Sequence, residues 1–349
     1  MKRKVLIILT LLFSLGAVAQ TQVNEFNPGL VAGGVNYALP KTVLKVDVSA
    51  VKVVYTPGEF AKYAERYLHI GGVSTEPSTA WNTTGLTIYQ EGVPDTQKVF
   101  TVKLKDKTVA PMVQLTNSGV LVAVNTRTNL VENTLPPSTT TNHRLDARQY
   151  LTEDILAATS TAKMAELTAQ EILDIRESKN AIKRGQVESM PQDGASLKIV
   201  LDELNLQEEA LTQLFTGYTD TTFVTESFSV LPVADIDKQV LFRFSHRLGF
   251  VDADDLAGEP YYVSVEDQHT VLLPNEKEVA KRKIEGLVYN MPSMANVIIS
   301  TMQHTIYERE LPFAQFGTID MLSPTLFNKG ATTKLTLYPA TGGIMHLEQ

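Results

Sequence analysis

The chain has no cysteine in 349 residues, and this limits its fold more than any pattern it contains, because its opening residues read as a secretory leader. Lys2, Arg3 and Lys4 precede an apolar run from Val5 to Leu15, and Ala17, Val18 and Ala19 form a small-residue cleavage site before Gln20. The run holds about a dozen apolar residues, short of the roughly 20 that span a bilayer. Residues 1–19 are therefore expected to be removed as a signal peptide, leaving an exported protein of the periplasm, the outer membrane or the extracellular space. Such compartments permit disulfides, yet none can form, and no cysteine follows the cleavage site to carry a lipid anchor. Stability must come from core burial, which a chain of this length can supply.

The net charge is −8 at pH 7, and loss of the cationic leader makes the remainder more acidic. No basic run offsets this, so nucleic acid is not an expected partner. After residue 19 no apolar stretch approaches spanning length, so no second membrane segment is expected.

The remainder divides by pattern. Residues 20–133 read as an N-terminal β domain with one helix, since Phe100, Val102 and Leu104 alternate with Thr101, Lys103 and Lys105. Met112–Leu115 and Val120–Val124 form a hairpin through Asn117, Ser118 and Gly119. The helix is expected to start at a capping box of Thr56, Pro57 and Glu59, to carry Phe60, Tyr63, Ala64, Tyr67 and Leu68 on its packed face, and to stop at Gly71. Residues 134–144 hold Pro136, Pro137 and a Ser/Thr run, the composition of a linker.

Residues 145–217 read as an antiparallel helical hairpin. One helix runs from near Ser160 or Thr168 to Arg184 and is stopped by Gly185; the other runs from the cap Asp193 to Phe215 and is stopped by Gly217. The apolar stripe Leu197, Val200, Leu201, Leu204, Leu211, Leu214 and Phe215 needs a partner, expected to be the β domains and only secondarily another chain. Residues 218–349 return to strands at Phe223–Val230, Gln239–Ser245 and Tyr261–Val265. A charged connection over Pro274–Glu285 then leads to a last module, 286–349, with strands Lys334–Tyr338 and Ile344–Leu347. Gly34, Tyr37 and Pro40 recur at the same spacing as Gly286, Tyr289 and Pro292, and Phe60, Ala61 and Tyr63 are echoed by Phe313, Ala314 and Phe316, which suggests a duplicated β module.

Signatures of catalysis are sparse. The chain lacks HExxH, GxSxG, P-loop and GxGxxG patterns. Ser160 and Lys163 have the S-x-x-K spacing of penicillin-recognising enzymes without its companion elements, so Ser160 reads as a helix cap. Asp252, Asp254, Asp255 and Glu259 are the candidates for metal ligands, although Leu256 and Ala257 break the calcium-loop template and favour a solvated turn. The six histidines show no pair at ligand spacing. Arg243, His246 and Arg247 offer a cationic patch, while Trp81, Tyr261 and Tyr262 offer either sugar-stacking rings or core packing. No catalytic residue and no cofactor is assigned.

Several stretches resemble one family. They are Tyr55-Thr56-Pro57-Gly58-Glu59-Phe60-Ala61 through Tyr67-Leu68, Ser160-Thr161-Ala162-Lys163-Met164-Ala165-Glu166, Ile175-Arg176-Glu177-Ser178, Leu214-Phe215-Thr216-Gly217, Val251-Asp252-Ala253-Asp254-Asp255-Leu256, Gly258-Glu259-Pro260, Leu322-Ser323-Pro324 and Leu326-Phe327-Asn328-Lys329. The family is an uncharacterised exported group of Bacteroidetes-type bacteria, domain of unknown function 4831. The resemblance implies an exported protein and brings no catalytic residues with it.

The expected fold is α+β, with β-rich, sandwich-like N- and C-terminal modules and an antiparallel helical hairpin between them. The expected function is non-catalytic binding or scaffolding, with a protein or glycan partner in the envelope. The alternative is a hydrolase of glycans or peptides using Asp252, Asp254 or Glu259 as acid and base.

Overall fold

The computed structural model describes residues 34–103, 113–130, 135–187, 193–273, 286–323, 326 and 333–349. The expected leader and the charged connection at 274–285 lie outside the described residues. The described chain forms three antiparallel sheets and a helical hairpin, an α+β and β-rich architecture. Sheet one is ordered β2 (Ser78–Lys103), β1 (Gly34–Thr56), β6 (Tyr218–Val230), β5 (Thr139–Thr141). Sheet two is ordered β11 (Thr305–Leu322), β10 (Leu287–Ser300), β9 (Glu259–Asp267), β7 (Ile236–Ser245), β8 (Gly249–Val251). Sheet three is ordered β13 (Ile344–Glu348), β12 (Lys334–Leu337), β4 (Leu121–Val124), β3 (Val113–Leu115).

Two cores follow from strand alternation. Leu44, Val46, Val48 and Ala50 of β1 point away from Lys45, Asp47 and Ser49, and meet Val263, Val265, Val297 and Ile299 of sheet two in one core. The beginnings of the same long strands serve a second core, where Tyr37, Leu39, Leu287 and Val288 pack on Leu121, Leu335 and Leu337 of sheet three. The sheets thus cross the boundaries expected from the sequence. β6 pairs with β1, β12 pairs with β4, and the stretch expected as a linker supplies β5.

Passing from one core to the other requires a bend, and both long hairpins make it the same way. Ala38 pairs with Val99 and Pro40 with Pro94, so Leu39 alone faces Asp95, Thr96, Gln97 and Lys98. Met291 pairs with Thr318 and Ser293 with Phe313, so Pro292 alone faces Ala314, Gln315, Phe316 and Gly317. Backbone equivalence extends further, since Ala38 N donates to Gly119 O at 3.0 Å and Asn290 N to Gly342 O at 3.1 Å. The second bend is tight enough to demand glycine, since a Cβ on Gly317 would lie 1.8 Å from Met291 O. Gly92, which pairs with Thr42 beyond the first bend, is needed for a different approach, since a Cβ there would lie 2.0 Å from Pro339 O in the turn between β12 and β13. The Gly–Tyr–Pro repeat therefore has a structural counterpart. The Phe60/Phe313 echo has none, because Phe60 precedes a helical turn and Phe313 lies in β11.

The hairpin consists of helices at Thr161–Lys183 and Gly194–Thr216, capped by Ser160 and Asp193, whose side chains accept from Lys163 N and Ser196 N. Glu208 ties them together, accepting from Arg176 Nε at 2.6 Å and from Lys179. Burial alone would raise its carboxyl pKa, but hydrogen bonds from Lys179 and Arg176 hold it below the ordinary value. Two expectations need correction. The helix after Thr56 is only a 3₁₀ turn, Ala61–Tyr63, followed by Ala64–Leu68, and no side chain caps either. Thr56 stays in β1 to pair with Tyr218, Phe60 N donates to Leu214 O at 2.7 Å, and His69 rather than Gly71 makes the left-handed stop. The stripe of the second long helix also has a different partner. Leu211 and Phe215 pack on Phe60, Ala64, Ala165, Ala169 and Ile172, a core of helices and their connections with no strand residue in it.

Candidate functional site

Of the carboxylates nominated by the sequence, Asp252, Asp254 and Asp255 stand on an exposed loop between β8 and β9, and Glu259 is the exposed first residue of β9. Asp255 N donates to Asp252 O at 3.0 Å, and Asp255 Oδ1 accepts from Ala257 N at 2.8 Å, so Asp255 closes a turn. Arg243 braces that loop from below, donating to Ala253 O and Gly258 O. Asp252, Asp254, Asp255 and Glu259 line none of the cavities described below. Among the described residues no group of three or more His, Cys, Asp or Glu side chains is placed to hold a metal ion. Lys163 turns its ammonium to Glu166 at 2.8 Å rather than to the Ser160 hydroxyl.

The aromatic candidates separate cleanly. Trp81 lies at the seam between sheets one and two, its N donating to His246 O and its ring covering Gly249, where a Cβ would approach within 2.8 Å. Tyr261 stacks on Phe242 with centroids 4.3 Å apart and belongs to the first core. Tyr262, one residue later on β9, faces the other way. It lines an open groove of about 900 Å³ on the outer face of sheet two. Smaller depressions of about 420 Å³ beside Met291 and about 470 Å³ beside Glu208 hold fewer unspent polar groups.

Three segments distant in sequence build the groove. β9 contributes Tyr262, Ser264 and Glu266, the residues alternating with buried Val263 and Val265. β10 lays Ile298 and Ser300 beside them, in register with Ser264 and Tyr262. A bulge of β7 between Ile236 and Gln239 raises Asp237 and Lys238 into one wall, and the 301–305 turn forms the other. Both walls are braced. Lys238, at φ 46°, donates its N to Ser264 Oγ at 3.0 Å, Asp235 Oδ1 accepts from Asp267 N at 2.9 Å, and Thr301 Oγ1 accepts from the N of Gln303 and of His304. The side chains of Asp237, Lys238, Glu266 and Gln303 make no hydrogen bond or ion pair with the described residues. The groove thus combines an aromatic ring and an aliphatic floor with carboxylates, an ammonium and an amide whose bonding capacity is unspent.

Sequence reasoning nominated Tyr262 but missed Asp235, Asp237, Lys238, Glu266 and Gln303. The alternation with Val263 and Val265 was the available signal for Tyr262 and Glu266; the β7 bulge left none.

Among the described residues no helix is long and apolar enough to cross a membrane. No curated protein and no solved structure matches the chain. A family model, however, matches residues 33–345, nearly the full span of the three sheets and the helical hairpin, and the chain belongs to that family, a domain of unknown function (DUF4831).

Proposed function

We propose that this is an exported, non-catalytic binding protein of the cell envelope that holds a glycan chain against the outer face of sheet two. The observation that carries the reading is the placement of Tyr262, whose ring is spared from the core that claims Tyr261 and opens onto a groove lined with unspent polar groups. A sugar presents apolar C–H faces to an aromatic ring and hydroxyls at its edge, and the groove offers both kinds of contact side by side. Bracing of both walls lowers the ordering cost of binding. The leader-like opening supports the export part of this reading.

Isothermal titration of the exported chain against a panel of neutral and charged oligosaccharides tests the reading. Tyr262→Ala is expected to weaken binding about tenfold without moving the melting temperature. A panel on which the wild type binds nothing refutes it, as does a Tyr262→Ala protein that binds like wild type. Sequencing the N-terminus of the cellular protein tests export, with Gln20 expected as its first residue.

A further inference from the structure

Resting on that reading, we infer that the groove selects glycans bearing free amines and rejects acidic ones. Among the described residues its charged lining is three carboxylates, Asp235, Asp237 and Glu266, against the ammonium of Lys238, with His304 at the far turn. The carboxylates gather at one end. Ile236 pairs with Val265, which sets Asp235 and Asp237 beside Glu266, while Tyr262 lies four residues back along β9, about 13 Å away. A ring stacked on Tyr262 therefore directs the rest of its chain toward the carboxylates. One oxygen of Asp235 is spent on Asp267 N, while the carboxylates of Asp237 and Glu266 make no hydrogen bond or ion pair with the described residues.

The charges discriminate by simple chemistry. An ammonium on the sugar presents donors that match carboxylate acceptors and forms charge-assisted hydrogen bonds. A hydroxyl or an N-acetyl group there makes only neutral ones. A uronate or sulfate brings like charge to an acidic rim. Each pair is solvent-exposed, so the preference is modest and salt-dependent rather than absolute.

The test titrates the exported chain at about pH 6, where a sugar amine is protonated. Its probes are a glucosamine oligomer, the fully N-acetylated oligomer of the same length, and a galacturonate oligomer. The amine form is expected to bind about fivefold to tenfold tighter than the N-acetylated form, and the galacturonate most weakly. The double substitution Asp237→Asn, Glu266→Gln is expected to remove the affinity ratio between the first two, and salt raised from about 50 to about 500 mM is expected to narrow it in the wild type. N-acetylated or galacturonate oligomers binding as tightly as the amine form overturn this inference, as does a gap that survives the double substitution. If binding of every probe is absent, or is indifferent to Tyr262→Ala, the glycan-groove reading falls and takes this inference with it.

Discussion

The β1–β2 and β10–β11 hairpins bend within one residue of equivalent positions, each with one residue facing four, yet they close the bend with different chemistry. In the first hairpin the closing group is Tyr37, whose buried hydroxyl donates to Val288 O at 3.0 Å and accepts from Val288 N at 2.9 Å. In the second it is Asn290, whose amide donates to Pro40 O at 3.0 Å and to Thr341 O at 2.8 Å. The partners are reciprocal, since each hairpin satisfies backbone groups of the other. Their counterparts diverge accordingly. Asn290 corresponds to Ala38, and Tyr289, the counterpart of Tyr37, turns to Asp320 in a half-buried site. Repetition thus accompanies a shared backbone path, while the polar closure differs between the two hairpins, each closing group satisfying backbone groups that the other does not reach.

The strongest test of equivalence is steric. Gly317→Ala and Gly92→Ala each place a methyl inside contact distance of a backbone oxygen, and each is expected to cost about 3 kcal/mol or more in urea unfolding. A negligible cost at Gly317 would show that the second bend does not depend on its glycine, whereas Gly92 reports the packing of β2 on the Pro339 turn. Asn290→Ala comes next, at about 2 kcal/mol, because it orphans two buried carbonyls; loss of Asn290 Oδ1, itself buried without a partner, offsets part of the cost.

Tyr37→Phe should cost about 1–2 kcal/mol and Tyr289→Phe well under 1. The tyrosine pair also sharpens the comparison through pH. Burial raises the Tyr37 pKa above its ordinary value, only partly opposed by the Val288 bond, and burial with the nearby Asp320 raises that of Tyr289. A raised folded-state pKa gives stability that is complete below the unfolded value and is lost as pH climbs past it. Stability should therefore fall above about pH 10, and Tyr37→Phe should flatten that fall more than Tyr289→Phe. The smallest effect belongs to a control outside both hairpins. Glu208→Gln should cost about 1 kcal/mol at neutral pH, measured by thermal unfolding. Because Glu208 is held below its ordinary pKa, its contribution is present above the unfolded carboxylate value and disappears as pH drops through the folded one.

Local signals carried the local structure. The caps Ser160 and Asp193, the stops at Gly185 and Gly217, and the Thr116–Val120 turn are set by backbone chemistry within a few residues, and each was readable there. The segment after Thr56 misled because its helix signals competed with long-range bonds. Pairing of Thr56 with Tyr218 and of Phe60 N with Leu214 O joins residues more than a hundred positions apart, which no window along the chain can see. The groove was half legible for the same reason. Period-two patterning exposes Tyr262 and Glu266, but the β7 bulge and the 301–305 turn become neighbours only once sheet two is assembled.

The seam residue Trp81 is the only tryptophan in the chain. Its indole sits where the start of β2 meets the β7–β8 turn, with His246 Nδ1 3.0 Å from the Trp81 carbonyl oxygen. Its emission is consequently an optical gauge of the joint between sheets one and two, present without labelling. If those sheets part before their strands melt, the fluorescence shift will precede the loss of far-ultraviolet dichroism; if the sandwich fails as one body, the two curves will coincide.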